Sequence, residues 1–261
     1  MAILKNKVAV IFAAGGAIGS EVSRIFAREG ATVFLSGRNL APIDALATGI
    51  NKQEAEGTAY ASKVDALNET EIDDYLNGIR KKTGRIDIVF NAIGVQPIHA
   101  GYGTVCTELS YDKFLLPITT HLGSQFLTSR LAAKYMQPQK SGVILTLSAS
   151  VSTDSRPFMS NITAACAAIE GMTRSLAAEL GRTGIRVVCL RPRAMAETRT
   201  IQQTYTANAR TLGIEPETFA RAVKEQSSLS RRATTLKDAA ELAVFLVSDQ
   251  AGTLVGKAIE V

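Results

Sequence analysis

Apolar residues along the opening of the chain change their spacing abruptly. Val8 to Phe12 form an unbroken apolar run, the mark of a strand covered on both faces. Ile18, Val22, Ile25 and Phe26 then recur at helical spacing, and only the small residues of Ala13-Ala14-Gly15-Gly16-Ala17 separate the two patterns. The same alternation continues down the chain. Ala31 to Ser36 reads as a second strand, followed by a helix to about Gln53; Thr58 to Val64 is a third, followed by a helix over Glu69 to Lys82 that Gly84 closes. Ile86 to Phe90 predicts a fourth strand. A long helix then starts near Ser110, bends or restarts at Pro117 and ends near Met136. Gly142 to Leu147 and Ile185 to Leu190 read as strands around an Ala-rich helix over Asn161 to Leu180, and Leu236 to Val247 with Leu254 to Val261 supply a last helix and strand.

Strands that alternate with helices through short connections predict a parallel sheet covered on both faces, so the expected fold is α/β, a single Rossmann-like doubly wound domain of about seven strands over residues 1–261. The rhythm breaks once, over 194–232, a polar stretch rich in Arg and Thr with at least one short helix after Pro216. It reads as a lid on the substrate side. Ligands of such sheets bind outside the carboxyl ends of the strands, and the glycine loop, Arg38, Asp65 and Asn91 all fall there.

Composition narrows the classes. With 261 residues, 46% of them hydrophobic, the chain can bury a full core. The net charge of +5 comes from scattered Lys and Arg, which speaks against nucleic acid as a partner. No stretch is long enough to span a bilayer, and the apolar run after Lys5 and Lys7 passes directly into the glycine loop, unlike a signal peptide. Three cysteines (Cys106, Cys166, Cys189) without C-x-x-C spacing fit a reducing, cytoplasmic setting, in which the Asn68 and Asn161 sequons carry no weight. The two histidines share no metal-ligand motif, so no metal is expected.

The chemistry of the strand ends points to a dinucleotide. A small-residue loop at a helix N-terminus lets backbone N–H groups approach a phosphate, with Ala13, Gly15, Gly16, Ile18 and Gly19 as the contributing positions. A plain tight turn is the competing reading. Arg38 stands where a carboxylate would otherwise hold the ribose hydroxyls, which favours NADP(H) through its 2′-phosphate; an ordinary exposed arginine is the alternative.

Taken together, Ala13 to Gly19, Asp65-Ala66, Asn91-Ala92-Ile93-Gly94, Pro192 with Thr198, and Arg-Arg-Ala at 231–233 resemble the short-chain dehydrogenase/reductase family over nearly the whole chain. The resemblance implies that Asp65 binds the adenine, that Asn91, Ala92 and Gly94 line the ribose side and steady the fourth strand, that Pro192 belongs to the cofactor site and that Thr198 faces the nicotinamide end. It also implies a homodimer or homotetramer, paired through the helices ending at Met136 and Leu180, where Ala164, Ala165, Ala168 and Gly171 permit close contact.

The catalytic positions depart from that family. An ungapped count places Ile162 at its Tyr, Cys166 at its Lys, Ala149 at its Ser and His121 at its Asn. No Tyr lies between Tyr135 and Tyr205, and no Lys between Lys140 and Lys224, so a shifted alignment restores neither. His121, expected to titrate near neutrality, and Ser148 and Ser150, which flank Ala149, are the replacement candidates. A structural histidine is the competing reading for His121, and a small core residue the favoured one for Cys166. His99 and Tyr102, in the loop after the fourth strand, are within reach of a substrate or belong to a surface loop. Arg193, at a small-residue position of the family, either crowds the nicotinamide ring or meets an anionic ligand. Three functions are open on these residues: a divergent oxidoreductase acting on an unknown small molecule, a non-redox enzyme (lyase, isomerase or cyclase) on the same fold, and a catalytically silent NADP(H)-binding or regulatory subunit.

Overall fold

In the computed structural model, which describes residues 2–53, 56–227 and 232–261, seven parallel strands form one sheet in the order β3-β2-β1-β4-β5-β6-β7. The strands are β1 Val8–Phe12, β2 Thr32–Gly37, β3 Ala59–Lys63, β4 Ile88–Asn91, β5 Gly142–Leu147, β6 Ile185–Arg191 and β7 Ala258–Glu260. Their continuous apolar character has a simple cause. Ala9, Ile11, Val33, Leu35 and Phe90 face one helical layer, while Val8, Val10, Phe12, Phe34 and Val89 face the other.

The first layer is α1 Ala17–Arg28, α2 Leu40–Lys52 and, later in the chain, α10 Leu236–Val247; Val22, Phe26, Ile43, Leu46 and Val244 carry its apolar stripe. The second layer holds α3 Glu69–Thr83, α6 Gly123–Met136 and α7 Ser160–Leu180, buried through Ile72, Leu76, Leu131, Met136 and Leu180. Between β4 and α6 lie the single turn α4 Pro97–Ala100 and α5 Tyr111–Pro117. The bend expected at Pro117 is a π-helical turn over Ile118–Leu122 that joins α5 to α6, since proline has no N–H to continue the regular ladder.

Two expectations change in extent. Among its described residues the stretch 194–232 carries two helices, α8 Arg199–Leu212 and α9 Pro216–Ser227, with Thr198 capping the first through the Ile201 amide. The last strand is three residues long, because Leu254 to Gly256 turn to reach the β6 edge, where the Gly256 amide donates to the Val187 carbonyl. Residues 228–231, including Arg231 of the Arg-Arg-Ala motif, lie outside the described residues.

Candidate active site

The chain runs outward from β1 to β3 and returns to β4 on the other side of β1, so the loops after β1 and β4 diverge and leave a crevice between them. A cleft of about 390 Å³ opens there, lined by Ala13, Gly15 and Gly16 of the first loop, by Arg38, by Asp65 and Ala66, and by Gly94. These seven predicted cofactor residues, from four strand ends, line one cleft. The other six do not line it: Ile18 and Gly19 sit inside α1, Asn91 ends β4 with Ala92 directly after it, and Pro192 and Thr198 follow β6.

The loop's shape explains its composition. Ala13 adopts a left-handed backbone (φ 57°), where its family counterpart is glycine, and its carbonyl closes a turn with the Gly16 amide at 3.0 Å. A Cβ on Gly19 would stand only 2.5 Å from the Ala13 carbonyl oxygen, so the helix can approach the loop only as glycine. α1 has no side-chain cap and no acidic residue in its first turn, which leaves its positive end open to an anion. Arg38 is exposed at the β2 end of the same cleft, and Asp65 is fixed there by accepting the Leu67 amide at 3.0 Å. These residues fit a dinucleotide: an uncapped helix end for the phosphates, Asp65 for a base or ribose edge, and Arg38 for a further anionic group. Asn91 is buried and steadies the β4 end, donating to Thr128 Oγ1 at 3.0 Å and accepting the Ile93 amide at 2.9 Å.

The candidate catalytic residues meet other fates. His121, on the π-helical turn, accepts the Val95 amide on Nε2 at 2.8 Å. Burial pushes its pKa down to about 4, so it is neutral near pH 7 and the expected titration near neutrality does not occur. Val95 lies 26 residues away, in a loop whose path the apolar pattern does not set. Ser148 donates to Glu170 Oε1 at 2.8 Å, and Ser152 donates to the same oxygen at 2.6 Å. Glu170 Oε2 receives Arg191 Nη1 at 3.2 Å; Arg191 Nε lies 3.1 Å from Glu260, which also pairs with Arg193. This chain of charges fills the carboxyl ends of β5, β6 and β7, commits the Ser148 hydroxyl and draws Arg193 to Glu260. Sequence reasoning missed it because its members sit on four separate elements. Ser150 is buried in a short 3₁₀ turn, where its amide donates to the Pro192 carbonyl.

Ile162, Cys166 and Ala149 come together, as the ungapped count requires, in an apolar cluster with Ala100, Tyr102 and Met159. Cys166 is 2% exposed and burial pushes its thiol up to about 12, which makes it a core residue rather than a nucleophile. His99 is exposed; Tyr102, from the same loop, is buried in the cluster.

A doubly wound sheet with a small-residue loop and a cleft at its switch point is a scaffold of the nucleotide-binding kind. A family model described as Enoyl-(Acyl carrier protein) reductase matches residues 13–261. The chain belongs to the short-chain dehydrogenase/reductase family. It is 29% identical over 256 residues to (21S)-21-acetoxyl-apo-melianone synthase SDR of Melia azedarach, covering 97% of this chain and 87% of that one. Sorbitol-6-phosphate 2-dehydrogenase SrlD from Erwinia amylovora superposes with a TM-score of 0.89 at 26% identity, covering 97% of each chain. A 7α-hydroxysteroid dehydrogenase complexed with NADH and 7-oxo glycochenodeoxycholic acid superposes with a TM-score of 0.84 at 26% identity, over 100% of this chain and 94% of that one. No helix among the described residues is long and apolar enough to cross a membrane, and no group of three potential metal ligands occurs among them.

Proposed function

We propose that this chain is an NADP(H)-dependent oxidoreductase whose proton donor is not the α7 tyrosine of its family. The observation that carries the reading is the single cleft into which Ala13, Gly15, Gly16, Arg38, Asp65, Ala66 and Gly94 converge. The loop and the open α1 terminus hold the pyrophosphate, Asp65 the adenine side, and Arg38 the 2′-phosphate. A bound nicotinamide supplies or takes a hydride. The protein's own part is to fix that end of the cleft: Asn91 locks the end of β4, and His121, as a neutral acceptor, locks Val95 beside Gly94. We assign the small-molecule substrate to the space under the lid, a homodimer or homotetramer to the faces of α6 and α7, and the cytoplasm to a chain whose three cysteines are all free.

Reduced-nicotinamide absorbance during incubation with an activated diketone such as 9,10-phenanthrenequinone tests this directly, and steady oxidation is expected. A second reading, a silent NADP(H)-binding subunit, is favoured by one observation, the apolar packing of Ala149, Ile162 and Cys166. Tight NADPH binding without turnover of any carbonyl would establish that reading instead.

A further inference from the structure

The amino ends of the strands hold a second cavity, of about 220 Å³, on the sheet edge opposite the dinucleotide cleft. It is framed by Lys7 ahead of β1, Arg186 on β6 and Asp249 just after α10, with Ile88, Val143 and Val247 on its walls. Its volume falls below the roughly 300–1,000 Å³ of pockets for drug-sized ligands, so it suits a smaller molecule.

The charges around this cavity do not balance. Arg186 is half-buried, and its printed bonds all go to carbonyls at the end of α10: Nη1 donates to Leu246 at 3.1 Å and to Ala251 at 3.2 Å, and Nη2 to Ser248 at 2.8 Å. The Nε–H and one Nη2–H are left without a partner among the described residues, and Nε is not sealed off by protein. No carboxylate among the described residues stands within ion-pair distance of this guanidinium; Asp249 acts on its charge only through space. Lys7 has Asp249 as its ionic partner, at a long 3.4 Å to both carboxylate oxygens, and the Asp249 side chain is 88% exposed. Such a pair contributes little and yields readily to a competing anion. Asp87, also on the cavity wall, brings no free charge, since its carboxylate accepts the Val8 amide at 2.8 Å and Arg85 Nη2 at 2.6 Å. Two cations therefore face the cavity against one solvated carboxylate.

Their placement sets the shape of the missing anion. In the sheet, β4 and β5 separate β1 from β6, so Lys7 and Arg186 stand at opposite ends of the cavity with the apolar Ile88 and Val143 between them. A guanidinium edge takes a carboxylate through two N–H donors, and an ammonium takes a second one as a point charge. We propose that this cavity binds a short aliphatic dicarboxylate, one carboxylate on Arg186 Nε and Nη2, the other on Lys7 in place of Asp249, with its methylene carbons against Ile88, Val143 and Val247. The site lies at the strand ends remote from the cofactor cleft and does not depend on the oxidoreductase reading.

The experiment titrates succinate at low ionic strength into wild type, Lys7→Met, Asp249→Asn and Arg38→Ala by calorimetry, with acetate and 1,4-butanediol as the one-ended and uncharged counterparts. Wild type is expected to bind succinate, acetate more weakly, and butanediol not at all. Lys7→Met should bind succinate about 10- to 150-fold more weakly, the equivalent of one charge-assisted contact. Asp249→Asn should bind it about 2- to 5-fold more tightly, because the competing carboxylate is gone. Arg38→Ala should match wild type. A wild type that ignores succinate, or takes acetate equally well, overturns the proposal, as does unchanged succinate affinity in Lys7→Met and Asp249→Asn. Loss of succinate binding in Arg38→Ala places the anion in the dinucleotide cleft and overturns it too. Melting temperatures check that the variants are folded, and if Lys7→Met melts early the tightening in Asp249→Asn decides alone. NADPH affinity, read on the same samples, judges the proposed function separately.

Discussion

Gly19→Ala is the smallest change that challenges the cofactor loop. The added methyl carbon would sit 2.5 Å from the Ala13 carbonyl oxygen, 3.0 Å from Ala14 Cα and 3.1 Å from the Ala13 carbonyl carbon. All three are backbone atoms, so no side chain can swing aside. The loop is held on the other side by the Ala14 amide donating to the Ser36 carbonyl at 3.0 Å and by the left-handed Ala13, so relief of the contact requires α1 or the loop to move. Overpacking of this kind costs about 1–3 kcal/mol. For a chain of this size that is a fall in melting temperature of roughly 2–12 °C. The displaced atoms belong to the wall formed by Ala13, Gly15 and Gly16, so dinucleotide affinity should fall with stability. Differential scanning calorimetry, with and without NADPH, reads both effects, since a bound ligand raises the transition by mass action. A variant that melts with wild type and keeps the full NADPH-induced rise would refute the close-approach reasoning.

Other consequences follow from the buried polar groups. Glu170→Leu leaves the Ser148 and Ser152 hydroxyls and one edge of Arg191 without their acceptor, and should destabilise by about 3–5 kcal/mol in chemical denaturation; an unchanged midpoint would show that the network contributes nothing. His121 has its pKa lowered to about 4 from an ordinary 6.5, so its neutral form stabilises the fold fully above pH 6.5 and that contribution is lost as pH falls toward 4. Stability should therefore decline by up to roughly 3 kcal/mol across that window in wild type. His121→Asn should flatten this slope, and denaturation curves at pH 4.5 and 7 compare the two directly.

The sheet was readable because both of its faces are buried: a strand such as Val8 to Phe12 needs apolar side chains at every position, and that demand survives in the sequence. Part of the cleft's lining was readable for the same local reason, since Ala13, Gly15, Gly16, Arg38, Asp65, Ala66 and Gly94 lie in the loops just after strand ends, whereas Pro42, Ile43 and Thr120 reach it from helical segments. The short β7 was less so, because Leu254 and Val255 are apolar for packing against the helical layers rather than for pairing in the sheet. The catalytic region is built differently. His121 loses its proton through burial against a loop 26 residues away, Glu170 collects hydroxyls from the end of β5 and a guanidinium from β6, and Tyr102 reaches the cluster from a connection with no periodicity. Such long-range meetings leave no spacing to read. The absence of Tyr and Lys from α7 was plain in the sequence; what occupies their surroundings became visible only in three dimensions.

The central claim, an NADP(H) site in the cleft between β1 and β4, is tested most directly by calorimetric titration of NADPH and NADH into wild type and Arg38→Ala. Wild type should prefer NADPH. Removing Arg38 should weaken NADPH by about 10- to 150-fold, the value of one charge-assisted contact of about 1.5–3 kcal/mol, and leave NADH affinity level. Equal affinity of wild type for the two dinucleotides, or an Arg38→Ala protein that still prefers NADPH, would contradict the specificity, and the absence of binding by either would contradict the site itself.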